Sequence, residues 1–382
     1  MPENPHSAHR KCGAPDVPES VIVVSRPPRN ASLDTKKKIN RRTTREYSQR
    51  FRHAAQMIFM ALNVYLGTQF YLWVRYLEHG GHGIQVSRPP GIEGWLPIVG
   101  LMNTAYFVAT GRVPSIHPAA MFLFMAFVLI SLLFKRAFCS WLCPIGTVSE
   151  WLWRAGTRLF GRTFRLAPWI DIPLRGTKYL VLGFFVFSVG ALSAAGIRAF
   201  MHTPFGLVAD VKLLDFFREA GLPVIETLAA LVVLSMVVQN FWCRYLCPYG
   251  ALMGIVSLLS PLKVRRDAQR CIDCGKCARA CPSGLAVDRL PQVRSPECIA
   301  CMRCVASCPV ERGLQFAAAP RNAVDPALRW RGRVAGPATT AAAITIVFVG
   351  MVLVAQATGH WQTHVLQRIE VELVRHADAW TH

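Results

Sequence analysis

The stretch Cys271–Cys308 constrains this chain more than any other. Cys271, Cys274, Cys277 and Cys281 follow the spacing C-x2-C-x2-C-x3-C, with Pro282 next. Cys298, Cys301, Cys304 and Cys308 repeat it, with Pro309 next. Given twice, this run is the ligand pattern of a pair of [4Fe–4S] clusters. Three thiolates on one tight loop grip three irons of a cubane. The fourth iron is held from the other half, so each last Cys crosses over. Cys271, Cys274, Cys277 and Cys308 are therefore expected around one cluster, and Cys298, Cys301, Cys304 and Cys281 around the other. Zinc is satisfied by C-x2-C pairs. It requires neither the third Cys nor the C-x3-C-P tail.

The rest of the chain is unlike a soluble ferredoxin. Of 382 residues, 52% are hydrophobic and 17% charged, a membrane-protein balance. The formal charge of +21 raises nucleic acid as a partner. However, the basic residues alternate with long apolar spans instead of lining one face, which is the mark of membrane topology. Of thirteen cysteines, eight lie in the run and four form two C-x3-C-P pairs. Cys12 is left over in a polar arm and reads as a free thiol. Cluster ligands call for a reducing compartment, which argues against a disulfide framework.

Residues 1–52 form a polar arm, strongly basic from Arg26 and expected to be disordered at its start. No secretory signal fits, because the apolar run starts late and lacks a cleavage site. Thr43-Thr44 after Arg41-Arg42 spoils a twin-arginine reading. Five spans are expected: Ala54–Leu77, His117–Phe134, Tyr179–Phe200, Val224–Phe241 and Ala338–Ala357. Trp95–Ala109 reads as a half-helix in the interface, and Trp151–Arg165 as a basic amphipathic helix on the membrane surface. The fold class is mainly α: a polytopic helical membrane domain at 53–262, with a small α+β 2[4Fe–4S] domain inserted at 263–316. A basic linker, the fifth span and a short tail fill 317–382. Lys and Arg crowd the arm, 135–178 and 242–333. By the positive-inside rule these face the cytoplasm of a bacterial inner membrane, together with all the paired cysteines.

The first four spans form a parallel repeat. Phe138-Cys-Ser-Trp-Leu-Cys-Pro-Ile-Gly146 matches Trp242-Cys-Arg-Tyr-Leu-Cys-Pro-Tyr-Gly250. Since a residue before Pro avoids the helical region, Cys143 and Cys247 belong on turns, where ligands sit. Cys139, Cys143, Cys243 and Cys247 admit several readings. They can hold a third Fe–S cluster, bind Cu(I), cycle between dithiol and disulfide, or simply end their spans as buried structural pairs.

With two C-x3-C-P motifs at 139–144 and 243–248, each after an apolar span, and the double cluster run at 271–309, the chain resembles the polyferredoxin-like membrane proteins of the NapH, MauN, YccM and NosR C-terminal type. CcoG-type oxidase accessory proteins are more distant. The resemblance covers roughly 54–316. It implies electron transfer between a cytoplasmic donor or the quinone pool and a membrane or periplasmic redox partner. The long basic arm and fifth span exceed the simplest NapH pattern, and no large flavin domain of the full NosR type is present.

A quinone site needs a polar handle near the membrane edge. His117, at the outer start of the second span, and His202, just past the third, are the candidates; each is equally well an ordinary helix-end residue. There is no C-x-x-C-H haem motif, Walker loop, dinucleotide fingerprint or nucleophile elbow. Arg270, Lys276, Arg279 and Arg303 lie near the cluster cysteines, either as a docking face for an acidic donor or as a plain solvated face. The chain reads as a wire, an electron-transfer component and not a stand-alone enzyme, partnered by the bilayer and other redox proteins and not by nucleic acid. A maturation factor that reduces or delivers a metal, and a redox-sensing regulator, are the alternatives.

Overall fold

The computed structural model describes residues 41–43, 47–83, 85–161, 164, 166–318, 334–363 and 367–375. Cys12, most of the basic arm, the linker arginines 321–333 and the end of the tail lie outside these. The elements run α1 (Ser48–Glu78), a 3-10 turn (Pro90–Trp95), α2 (Pro97–Thr110), α3 (Pro118–Phe134), α4 (Phe138–Trp141), α5 (Pro144–Phe160) and α6 (Pro168–Gly190). Then follow α7 (Ala194–Met201), α8 (Pro204–Leu207), α9 (Ala209–Arg218), α10 (Leu222–Val237), a π turn (Trp242–Leu246) and α11 (Pro248–Val256). Last come β1 (Leu262–Arg266), α12 (Lys276–Arg279), α13 (Arg303–Ser307), β2 (Leu314–Ala318), α14 (Pro337–Ala357) and α15 (Gln367–Arg375). Proline opens seven of these helices, α2, α3, α5, α6, α8, α11 and α14. Its missing N–H costs nothing in the first turn, and its fixed φ suits a helix start.

The helices α1, α6 and α14 are long and apolar enough to cross a membrane; α9 and α10, bent by 83°, add a fourth if taken together. The chain is thus a membrane protein. The axis of the bundle is α3, which packs against α2, α11 and α14 and is buried along most of its length. Its seventeen residues make about 26 Å at 1.5 Å each, and the sixteen of α10 make about 24 Å.

The third expected span, Tyr179–Phe200, is displaced. Its helix starts at Pro168 and ends at Gly190, and α7 is a separate helix capped by Ser193, whose Oγ accepts from the Gly196 N–H at 3.0 Å. The charges at 171–178, inside α6, are paired internally. Asp171 accepts from Arg175, Arg244 and Tyr245, and Lys178 Nζ lies 2.5 Å from Glu297 Oε1. The surface helix also begins earlier than expected, at Pro144, and stops at Phe160 where Gly161 turns left-handed, φ 67°. It turns Thr147, Ser149 and Glu150 inward and leaves Ile145, Val148, Trp151 and Leu159 exposed. Gly156 lets it cross α10 closely, for an added Cβ would overlap the Met236 carbonyl.

Strands β1 and β2 pair antiparallel, Val264 opposite Phe316, and close the segment that carries the double cysteine run. Its apolar interior is continuous with the bundle. Phe127, Ile130, Phe138 and Trp141 share one core with Val264, Val293, Met302 and Phe316.

Candidate iron–sulfur centre

The two cysteine loops have the same backbone. Asp273 and Ala300, each two residues after the first Cys, are left-handed at φ 52° and 49°. Gly275 and Met302, each just after the second Cys, are left-handed at 66° and 55°. Such reversals turn successive N–H groups toward one concavity, the anion-binding nest that suits a cluster. One cavity is lined by Cys271, Cys274, Cys277 and Cys308, and a second by Cys281, Cys298, Cys301 and Cys304. Each cavity thus takes its fourth Cys from the other half of the run.

The surroundings of the two sets differ. Asp273, beside the first set, is 74% exposed at its side chain. In the second set Cys281, Cys301 and Cys304 are buried. Burial, then the neighbouring thiolates, pushes the Cys281 thiol up to about 11 and Cys304 well above its ordinary value. A bound cationic centre removes that penalty, because ligation needs the thiolate.

The membrane-edge pairs also meet. Cys139, Cys143, Cys243 and Cys247 all line one end of a cavity of about 880 Å³. Each pair follows a left-handed residue, Lys135 at φ 61° or Asn240 at 54°. Cys143 and Cys247 have extended backbones, as a following Pro requires, and stand at the N-termini of α5 and α11. The Gly250 N–H donates to Cys247 Sγ at 3.3 Å. Gly146 is a steric necessity, because a Cβ there would overlap the Cys139 carbonyl; a Cβ on Gly250 would meet the Arg136 guanidinium in its present place. No disulfide joins any two of the twelve described cysteines. Among the described residues no three His, Cys, Asp or Glu converge closely enough for a single ion, the two ferredoxin sets included.

The C-x3-C-P loops dock on the second set. Ser140 Oγ donates to the Ile299 carbonyl at 2.5 Å, Trp141 Nε1 to Ala300 O at 3.2 Å, and Arg244 Nη1 to Pro282 O at 3.3 Å. A narrow hollow between them is lined by Cys139, Cys243, Pro282, Ser283 and Glu297. Beside it Glu150 gathers Arg52 (2.6 Å), Arg154 (2.6 Å) and Arg303, the last stacked over the Trp153 ring at 5.1 Å. Burial opposes the Glu150 charge, but the Arg52 hydrogen bond and the charges of Arg52, Arg303 and Arg154 hold its carboxyl well below the usual range. Arg303 thus belongs to an internal clamp, whereas Arg270 pairs with Asp267 at 3.1 Å.

The structure does not bring His117 and His202 together. The His117 ring is fully buried, with Nδ1 3.1 Å from both Glu93 Oε1 and Arg88 Nη2, and Nε2 3.0 Å from the Gly206 carbonyl. His202 lines a separate hollow beside Ser115, 3.4 Å away. Neither lines the large cavity. Sequence reasoning missed Arg136, Glu150 and Glu297, whose one signal was a charge close to a Cys motif. It also missed Tyr249, whose ring lies among Phe124, Phe127 and Phe138 on the cavity wall.

A helical membrane protein that gathers cysteines into cluster-binding loops at one end of its bundle is, by class, an iron–sulfur electron-transfer protein. The family comparisons agree. Residues 116–166 and 221–267 match a family described as a 4Fe-4S binding domain, and 263–309 match a 4Fe-4S dicluster domain. The chain is 51% identical over 267 residues to YccM of Escherichia coli (strain K12), named as an electron transport protein, covering 70% of this chain and 75% of that one. It is 28% identical to the ferredoxin-type protein NapH of the same organism, over 59% of this chain and 71% of NapH. It is 31% identical to the methylamine utilization ferredoxin-type protein MauN of Methylorubrum extorquens, over 50% and 62%. The chain belongs to this family of ferredoxin-type membrane proteins. No solved structure matches it.

Proposed function

We propose that this protein carries electrons between a donor that docks at the ferredoxin face, on the cytoplasmic side of a five-span inner-membrane fold, and a quinone-type carrier or redox partner in the membrane. Cys271, Cys274, Cys277 and Cys308 would hold one [4Fe–4S] cluster, Cys298, Cys301, Cys304 and Cys281 a second, and Cys139, Cys143, Cys243 and Cys247 a third. Bound clusters supply one-electron transfer at potentials set by burial and hydrogen bonds to sulfur. The observation that carries the reading is the contiguity of the three thiol sets. The first faces outward, the second is buried behind it, and the quartet opens on an apolar cavity between helices. A cavity of this size takes a ring-and-tail ligand. Asn63, Gln69, Arg88 and Trp95 give its wall polar groups away from the thiols, and these replace His117 and His202 as the handle we assign to a quinone.

Anaerobic purification with iron and acid-labile sulfide analysis tests the assignment. Three cubanes give about twelve irons per chain, and a variant lacking all eight ferredoxin cysteines retains about four. An iron-free variant of that kind removes the quartet from the scheme. A deletion strain separates electron supply from maturation: the partner oxidoreductase stays metal-replete but unreduced. A metal-deficient partner would instead favour a maturation factor.

A further inference from the structure

One buried guanidinium stands between the quartet and the second ferredoxin set. Arg136 lies three residues before Cys139 and is 2% exposed. Its Nε donates to Cys139 Sγ at 3.4 Å and its Nη2 to the Cys243 carbonyl at 3.1 Å. Its Nη1 is 3.8 Å from Glu297 Oε2. Glu297 directly precedes Cys298, and its Oε1 also accepts from Lys178 Nζ at 2.5 Å and the Tyr179 hydroxyl at 3.3 Å. The second repeat unit has Asn240 at the position of Arg136. A single cation therefore touches both C-x3-C-P pairs, and Gly250 is the residue that leaves room for it.

We propose that Arg136, held by Glu297, is a positioning and tuning residue that couples the quartet electrostatically to the second ferredoxin set and leaves the first set out. The inference rests on the quartet being a redox site, as proposed above. A guanidinium stays protonated at any working pH. In a buried site its charge is weakly screened over a few ångströms, so it favours whichever neighbouring centre carries the extra electron. Arg136, Lys178 and Glu297 together leave one net positive charge at the junction. Among the described residues none of the three lines the cavity of either ferredoxin set, but Arg136 and Glu297 share a hollow with Pro282 and Ile299, which flank Cys281 and Cys298 of the second set.

The test is an EPR redox titration of the full chain, purified anaerobically in detergent, with signals assigned by Cys274→Ser and Cys301→Ser variants. Arg136→Gln is expected to lower the reduction equilibrium constant of the second set and of the quartet about tenfold, roughly 59 mV for a one-electron couple. The first set should move by less than a third of that. Arg136→Lys should restore most of the shift. Glu297→Gln, which removes the opposing charge, should shift the second set the other way, and it serves if Arg136→Gln does not fold. Equal shifts in both ferredoxin sets, or an Arg136→Lys titration like that of Arg136→Gln, would overturn the proposal. If the quartet holds no iron, the wild-type count falls to about eight. That outcome sinks the quartet reading and, with it, the coupling, whereas a full iron count with unshifted potentials sinks the coupling alone.

Discussion

The two halves of the cysteine run have the same spacing and the same left-handed backbone positions, yet the molecule treats them differently. The first half is closed by β-strand edges and faces outward, with Asp273 largely exposed. The second half is welded to the helices. Met302, Cys304 and Val305 share a core with Phe127, Phe138 and Trp141, which Cys277 and Cys281 of the first half also enter. Only the second half is also bonded by Ser140 and Trp141, through the Ile299 and Ala300 carbonyls, and its Arg303 is locked to Glu150. Ligand geometry is set locally and repeats; role is set by what each copy packs against. The second half meets the C-x3-C-P loops, and under the proposed function the more exposed first half would exchange with a soluble donor.

Removing ligands should break this comparison most sharply. Cys304→Ser puts an unliganded hydroxyl in a buried site of the shared core and should sharply reduce accumulation of the protein in membranes. Cys274→Ser should leave folded protein short of one cluster. Immunoblotting and iron per chain read both, and equal accumulation of the two variants would show that the second half is no more integral than the first. Cys308→Ser should remove the cluster of the first loop although it lies in the second, which tests the crossing directly.

The clamp comes next. Glu150→Ala leaves Arg52, fully buried, without its carboxylate partner. Breaking a buried pair from one side costs about 3–5 kcal/mol. A lower thermal transition and faster proteolysis near Arg303 are the expected signs; unchanged proteolysis would mean that the second half holds to the bundle without the clamp. Acid gives the same effect gradually. Because the folded Glu150 carboxyl titrates below the 4.5 of a free glutamate, its stabilisation is complete above that value. It is lost as pH falls from there toward the folded value. The stability gap between the wild type and Glu150→Gln should therefore be full at pH 6 and narrow below pH 4.5, and comparing the two cancels the acid lability of the clusters. A gap that widens on acidification contradicts the assignment.

The smallest effect belongs to the outward half. Asp273 pairs with Arg266 at 3.2 Å while mostly exposed, and such pairs contribute about 0–1 kcal/mol. Asn tolerates the left-handed backbone at this position. Asp273→Asn should thus leave stability within about 1 kcal/mol of wild type, while changing the salt dependence of reduction by an added soluble donor. A large loss of stability would make this half as structurally committed as the other.

The extent of what the sequence reveals follows the range of the forces involved. Spacing and the Cys–Pro junctions are local, so the grouping of the eight cysteines about two cavities, the extended backbones of Cys143 and Cys247 and the Pro-led helices could be read from order alone. The first and last long apolar helices were equally plain, because hydropathy over about twenty residues is a local sum. The third span is expected to start at Tyr179, whereas its helix starts at Pro168 and takes in Asp171 and Lys178, whose charges are met by Arg244 and Glu297, distant in sequence. The two histidines were chosen by depth along the chain, and depth does not report that Glu93, Arg88 and the Gly206 carbonyl already occupy the His117 ring.

By itself, then, the sequence determined that this chain gathers thiols for iron–sulfur clusters and sits in a membrane, since both follow from residue type and spacing. Tertiary structure alone decided that the second ferredoxin half meets the C-x3-C-P loops. It also decided that Arg136 and Glu297 stand at that junction and that a large apolar cavity opens beside the quartet. These depend on which surfaces bury each other across more than a hundred residues of chain, and no local pattern encodes that.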